Sequence, residues 1–354
     1  MLSLTWEVLD ILEALEEPFP ILTVLELDAD ETSELIFPNP IHFLGGFTHL
    51  RSLSLIGIPI SGLPKLLSSF TDLVNLRLTG ILISIFVSPD EMVTALSALT
   101  RLQVLHLGPE LDESHPDWQS RHIPLPTRTV LPSLIELKFV GVIEYLDDFM
   151  ARIDVPLLGR LEIVVHTFLD QDIVFNTPQI LQFISRVPKF QALDEAHIGI
   201  HNDNFKVWIN FLSTRKSDGM LDLEIICIEP ERQFPCLAQF PLPTLKCLYI
   251  DGGQYSRFYW QNDARWLELL QPFTSVKDLY LSEDFAQGIA PTLGDLSEEI
   301  ATEVLPALEN VLIEKFWPYG PVDEAFQKFV STRRLSVPHI IVSDWDRTGR
   351  EAGH

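Results

Sequence analysis

The sequence predicts an α/β fold in which short parallel strands alternate with helices and stack into a curved solenoid, sheet on the concave face and helices on the convex face. Three observations predict it. A Leu-x-x-Leu-x-Leu run recurs along the chain, most copies are introduced by the same four-residue phrase, and capped helix starts fall between copies.

The phrase is plainest as Leu-Pro-x-Leu in LPSLIELKF from Leu131, LPTLKCLYI from Leu242 and LPALENVLI from Leu305. Variants are FPILTVLEL from Phe19, FTHLRSLSL from Phe47, FTDLVNLRL from Phe70, LTRLQVLHL from Leu99, VPLLGRLEI from Val155 and FTSVKDLYL from Phe273. Two units are degenerate: VPKFQALDEAHI from Val187 holds extra residues before Ala196 and Ile198, and MLDLEIICI from Met220 has the strand without the lead-in. The fourth residues give the anchors Leu22, Leu50, Leu73, Leu102, Leu134, Leu158, Phe190, Leu223, Leu245, Val276 and Leu308.

From Leu22 to Leu308 is 286 residues in ten steps, or 28.6 each, the long, helix-containing end of the leucine-rich-repeat range. The asparagine ladder of the strictest consensus is missing. The return helices have recognisable starts. Ser88, Pro89 and Glu91 supply an N-cap, a first-turn proline and a capping-box acid, Thr177 and Pro178 repeat the cap and proline, and Gly320 and Pro321 vary it. One apolar face per unit cannot be buried alone, so stacking predicts one repeat domain over 19–346. A capping helix in 1–18 (Trp6 to Glu16), a closing strand from His339 and a disordered tail over 347–354 complete it. Residues 108–130, rich in proline and charge, predict a surface loop.

Fifty acidic against 25 basic residues give a formal net charge of -25, which repels nucleic-acid phosphates and anionic membranes and favours a basic or small polar partner. Apolar runs such as Ile81 to Val87 fall short of a bilayer span. The first residues lack a signal peptide's basic region and cleavage site. Cys227, Cys236 and Cys247 are too few and too scattered for a disulfide framework or zinc site, so they are expected as reduced thiols in the cytoplasm or nucleus.

TPQILQFISRVPKFQALDEAHI, PTRTVLPSLIELKFVGVIEYLDDFMARIDVPLLGRLEI and GPVDEAFQKFVSTRRLSVPHIIVSDWD, with EPFPILTVLELDADE and WLELLQPFTSVKDLYLSEDF, resemble the repeat region of fungal F-box/leucine-rich-repeat proteins over nearly the whole chain. The resemblance implies a ubiquitin-ligase adaptor whose F-box docks on Skp1, within a cullin-RING ligase, while the repeats present the substrate. The F-box signature, an opening Leu-Pro and a leucine-rich helical run, is not found here, so Skp1 and cullin are expected partners only where an F-box lies upstream.

Common enzyme signatures are absent: no Gly-x-Ser-x-Gly, Gly-Lys-Ser/Thr phosphate loop, His-Glu-x-x-His or Gly-x-Gly-x-x-Gly occurs. Asp112, Glu113, His115 and Asp117 crowd donor groups into one segment, as a polar insertion also does. His201 and Asp203 read as a turn after a strand, and Asp147 and Asp148, about 100° apart on a helix, cannot converge on one atom. Leu146, Phe149, Met150 and Ile153 form that helix's inward stripe, which leaves the aspartates as its solvent coat. The expectation is a non-enzymatic protein-recognition domain without cofactor or metal. A structural scaffold unconnected with ubiquitin and a hydrolase using the Asp112–Asp117 loop are the alternatives.

Alternation along each strand sends the residues around the core leucines to the concave face. In the amino-terminal half these are Glu26, Ser54, Arg77, His106, Lys138 and Glu162, a mixed set. Further on they are Glu229, Tyr249, Asp251, Asp278, Tyr280, Ser282, Asn310 and Glu314, two tyrosines in an acidic frame fit to anchor a basic segment of a partner protein. YSRFYWQNDARW, residues 255–266, is a second candidate, with Trp266 and Leu267 assigned to a helix core and Tyr255 and Tyr259 to exposed contacts.

Overall fold

The computed structural model describes residues 2–4, 21–28, 49–58, 62–82, 87–110, 128–166, 178–201, 206–213, 219–226, 244–252, 264–314, 319–333 and 341–345. The chain forms two compact units, Met1–His166 with Thr177–Lys189, and Thr167–Asn176 with Phe190–His354.

In the first unit the strands β1 (Leu2–Leu4), β2 (Val24–Asp28), β3 (Ser52–Ile56), β4 (Asn75–Leu82) and β5 (Val104–Glu110) pair in chain order, all parallel. A side pair, β6 (Thr129–Val130) and β8 (Ile153–Asp154), flanks β7 (Glu136–Gly141) in sequence, and β7 and β9 (Arg160–His166) continue the main sheet. Parallel pairing requires a crossover each time. The helices α1 (Leu63–Leu67), α2 (Pro89–Leu96), α3 (Ile143–Arg152) and α4 (Pro178–Arg186) supply several of them.

The recurring phrase is a turn. In each complete copy the fourth-residue N–H donates to the first-residue carbonyl: Leu73 to Phe70 at 3.0 Å, Leu102 to Leu99 at 3.1 Å, Leu158 to Val155 at 3.2 Å and Leu308 to Leu305 at 3.0 Å. Proline or threonine therefore sits at the second turn position, where proline's fixed φ is already correct. First and fourth side chains both point inward: Leu99, Leu102, Leu131, Leu134, Val155 and Leu158 are at most 1 % exposed. Burying a side chain of that size contributes roughly 1.5–3 kcal/mol before chain entropy is set against it.

The units are stitched together where an asparagine ladder is absent. The two N–H groups after each anchor both donate to one carbonyl of the preceding unit: Val74 and Asn75 to Arg51, Gln103 and Val104 to Val74, Ile135 and Glu136 to Gln103, Gly159 and Arg160 to Ile135. Backbone atoms alone make this ladder, so its side chains vary freely in sequence.

The aspartates of α3 correct the sequence expectation of a plain solvent coat. Asp147 is buried, and its Oδ1 accepts from Gln179 N at 3.1 Å and Ile180 N at 3.2 Å, capping α4 from the neighbouring helix. Asp148 pairs with Arg152 at 2.9 Å, and Arg152 also reaches Asp90 at 2.9 Å. Because α4 opens with free N–H groups that Asp147 satisfies, Asp147→Ala is expected to lower unfolding free energy by about 1–2 kcal/mol, with Asp147→Asn recovering most of it. Urea unfolding measures both; an equal loss in the two variants contradicts the capping role.

The second unit departs from the expected all-parallel sheet. Its strands are β10 (Glu195–His201), β11 (Lys206–Leu212), β12 (Met220–Ile226), β13 (Cys247–Gly252), β14 (Asp278–Leu281), β15 (Asn310–Glu314) and β16 (Ile341–Trp345), arranged β12-β11-β10-β13-β14-β15-β16. The β10–β11 and β11–β12 pairs are antiparallel and the others parallel. Only four residues, 202–205, join β10 to β11. So short a link cannot make a crossover, and the chain turns straight back. The degenerate Met220 unit is thus the third strand of a meander rather than a repeat.

The other degenerate unit keeps its register by a 3-10 turn, Pro188–Ala192, that absorbs the extra residues. Leu193 rather than Phe190 stands two residues before its strand, as the anchors of the nine regular copies do, and both are fully buried. Lys246 and Cys247 then donate to Asp194 O, Lys277 and Asp278 to Lys246 O, and Glu309 and Asn310 to Lys277 O, the same ladder as in the first unit.

The helices here are α5 (Ala264–Leu270), α6 (Glu283–Gly294), α7 (Glu298–Glu303) and α8 (Pro321–Arg333). Trp266 of α5 is buried, as expected, edge-on to Phe285 of α6 with centroids 5.4 Å apart. Arg333, at the end of α8, is 1 % exposed; its guanidinium donates to the carbonyls of Val304 at 3.1 Å and Leu305 at 3.0 Å and lies 5.1 Å from the Phe329 ring centroid. The expected closing strand is β16. Trp6 to Glu16, the tail over 347–354, Tyr255 and Tyr259 lie outside the described residues.

Candidate functional site

In both units the odd-numbered or even-numbered residues of each strand that face away from the helices form rows across the sheet. In the first unit one row is Glu26, Ser54, Arg77, His106, Lys138 and Glu162, each beside the next in register. Within it Lys138 pairs with Glu162, and the adjoining row adds Arg160, which also pairs with Glu162, and Glu136, whose Oε1 lies 3.3 Å from His106 Nε2. A row of mixed charge favours no ligand class.

The second unit carries three adjacent rows of a different character. The middle one runs Asp222, Asn210, His197, Tyr249, Tyr280, Leu312 and Ser343. On one side are Glu195, Cys247, Asp278 and Asn310, and on the other Glu224, Trp208, Gly199 and Asp251, followed by Ser282 after β14 and by Glu314. Their strands' alternate residues, among them Leu248, Ile250, Leu279, Leu281, Val311 and Ile313, are core, which fixes this face as the outward one.

At its centre three rings stack in register. The His197 and Tyr249 centroids are 4.2 Å apart and those of Tyr249 and Tyr280 4.1 Å, both with planes 13° from parallel. Six carboxylates surround them: Glu195, Asp222, Glu224, Asp251, Asp278 and Glu314. Among the described residues of these rows there is no lysine or arginine. Asp278 is held in place by Asn310 Nδ2, which donates to it at 2.6 Å, and faces the Cys247 thiol at 3.7 Å.

The eight residues selected from sequence therefore fare differently. Tyr280, Asp251, Asp278, Asn310 and Glu314 are half-buried on this face. Tyr249 is on it too, but only 3 % exposed because neighbouring rings cover both its faces, and Ser282 is 5 % exposed at the start of α6. Glu229 lies outside the described residues, as do Cys227, Cys236 and the Asp112, Glu113, His115 and Asp117 segment. Sequence reasoning missed His197, which lies in the degenerate Val187 unit, and Asn210 and Trp208, which lie on β11 between the two degenerate units. The alternation in EAHIGIH and KVWINFL was the available signal.

Burial first, then the Asp278 carboxylate, the Cys247 thiol and Glu195, push the Tyr280 phenol up to about 12. The folded chain then holds a proton that the unfolded chain, with an ordinary tyrosine near 10, gives up. Stability from this group is fully present below about pH 10 and is lost as pH rises through about 12. Thermal unfolding of Tyr280→Phe is expected to fall less steeply than wild type across that window; parallel curves contradict it.

No family model matches the chain, and no curated protein matches it. Among solved structures, the leucine-rich repeat-containing protein LegL7 of Legionella pneumophila aligns with 98 % of this chain and 92 % of its own, at 12 % identity and a TM-score of 0.34. Among the described residues no group of three or more His, Cys, Asp or Glu side chains could hold a metal ion, and no helix is long and apolar enough to cross a membrane.

Proposed function

We propose that the chain is a leucine-rich-repeat solenoid that recognises another protein without catalysing a reaction, and that the outward sheet face of the second unit receives a basic segment of that partner. The supporting observation is the composition of this face: an aromatic centre, six carboxylates and, among the described residues of the three rows, no lysine or arginine. Aromatic anchors inside a polar rim are the usual carriers of interface energy. A lysine- and arginine-rich peptide is the direct probe. Tyr280→Ala should weaken its binding by about 1–2 kcal/mol while Tyr280→Phe changes it little; equal affinity of wild type and Tyr280→Ala removes the tyrosine from the site.

The resemblance to fungal F-box/leucine-rich-repeat proteins supports the finer reading, a substrate-presenting ubiquitin-ligase adaptor in the cytoplasm or nucleus. Affinity capture from native cells, read by mass spectrometry, tests it. Skp1 and cullin among the captured proteins support the adaptor, and partners without either leave a recognition domain unconnected with ubiquitin.

A further inference from the structure

Gly199 on β10 stands opposite Trp208 on β11. A Cβ added at Gly199 would lie 2.0, 2.2 and 2.2 Å from three bonded atoms of the indole, Cε2, Cζ2 and Nε1. Those three atoms form the Nε1-side corner of the indole, so that corner crosses β10 at Gly199, and only glycine leaves it room. Since Trp208 is half-buried, part of it remains open to solvent.

Carboxylates stand beside this platform along its own row. Glu224 is Trp208's partner on β12, and Asp251 is Gly199's partner on β13, so a carboxylate flanks each end of the indole's row. One position along β11, on the same face, Asn210 Oδ1 is shielded from solvent with no hydrogen-bond partner, and its opposite residue on β10, His197, has Nε2 in the same condition, 3.6 Å from the nearest Glu195 oxygen. A buried acceptor left open is costly, and a bound donor relieves it.

We infer that the Trp208–Gly199 platform is a subsite for an arginine side chain, whose guanidinium lies on the indole, pairs with Asp251 and donates to Asn210 Oδ1. A planar, weakly hydrated cation with five donors suits a flat ring, a carboxylate and an orphan carbonyl together, whereas a lysine ammonium meets them one at a time. The subsite deepens the proposed basic-segment reading and rests on it.

The test measures fluorescence anisotropy of labelled octapeptides alternating glycine with arginine, lysine or neutral citrulline, against the full chain. Arginine should bind roughly tenfold tighter than lysine, citrulline should not bind, and Trp208→Leu or Asp251→Asn should erase the arginine advantage while lysine affinity persists. Equal arginine and lysine affinity, or an advantage that survives Trp208→Leu, overturns the subsite and leaves the face reading intact; no binding of either cationic peptide overturns both. A second readout needs no variant: methylguanidinium titrated into the unmutated chain should move an indole N–H resonance, and an unmoved set overturns the subsite.

Discussion

Replacing Arg333 by alanine is expected to lower the unfolding free energy by about 3–5 kcal/mol, a large fraction of what a domain has. Its guanidinium is buried at the end of α8, and burial pulls its pKa below the ordinary arginine value. What holds it there is the pair of carbonyls at Val304 and Leu305 together with the Phe329 ring. Those carbonyls sit where the chain enters the Leu-Pro lead-in at Leu305, whose φ is +49°, a conformation a leucine adopts only under constraint. Removal therefore empties a large volume at a strained turn, takes the guanidinium donor from the Val304 carbonyl and leaves Leu305 O with the Leu308 N–H alone. Arginine at position 186 makes similar bonds, to Met150 O at 3.3 Å and Ile153 O at 3.4 Å, but is less buried, so Arg186→Ala should cost less. Guanidinium chloride unfolding of the two variants checks the order, and equal losses contradict it.

Tyr249→Ala is expected to cost about 3–5 kcal/mol of stability as well, the usual range for truncating a buried aromatic. The sequence alone assigns Tyr249 and Tyr280 the same part, as exposed anchors whose truncation weakens partner capture. Register separates them. Tyr249 sits between His197 and Tyr280, so its loss takes out the middle of a three-ring stack and opens a ring-sized gap. Tyr280 is the outer ring of that stack, next to Leu312, and is half-buried. Denaturant midpoints should thus fall steeply for Tyr249→Ala and modestly for Tyr280→Ala; a Tyr249→Ala chain as stable as wild type contradicts the stacked arrangement.

Much of this was legible because the repeat is written in residue types with one structural use each. Leu-Pro-x-Leu specifies a turn with proline at its second position and two inward side chains, and Ser88 specifies an N-cap that is present, its Oγ accepting from Glu91 N at 3.4 Å and donating to Glu91 Oε2 at 2.9 Å where a capping box would have Glu91 accept from the Ser88 backbone N–H. The row from Glu26 to Glu162 followed from strand alternation alone.

What was not legible depends on distant pairing. Nothing local to Asp147 announces that the N–H groups of Gln179 and Ile180 will arrive beside it. Apolar alternation in MLDLEIICI is the same for parallel and antiparallel strands, so the direction of β12 became fixed only through the short links around β11. That reversal brings Trp208, Asn210 and His197 onto the candidate face, which is why half of its centre escaped a reading built on regular repeats.

The proposed function requires that this face recognise positive charge. The measurement closest to it is the affinity of a lysine- and arginine-rich peptide for the chain carrying Asp251→Asn, Asp278→Asn and Glu314→Gln together, with Glu26→Gln and Glu162→Gln in the first unit as control. The triple variant is expected to lose at least tenfold in affinity, about 1.4 kcal/mol, the wild-type affinity to fall with added salt, and the control to stay unchanged. Unchanged affinity in the triple variant, or an equal loss in the control, would contradict it.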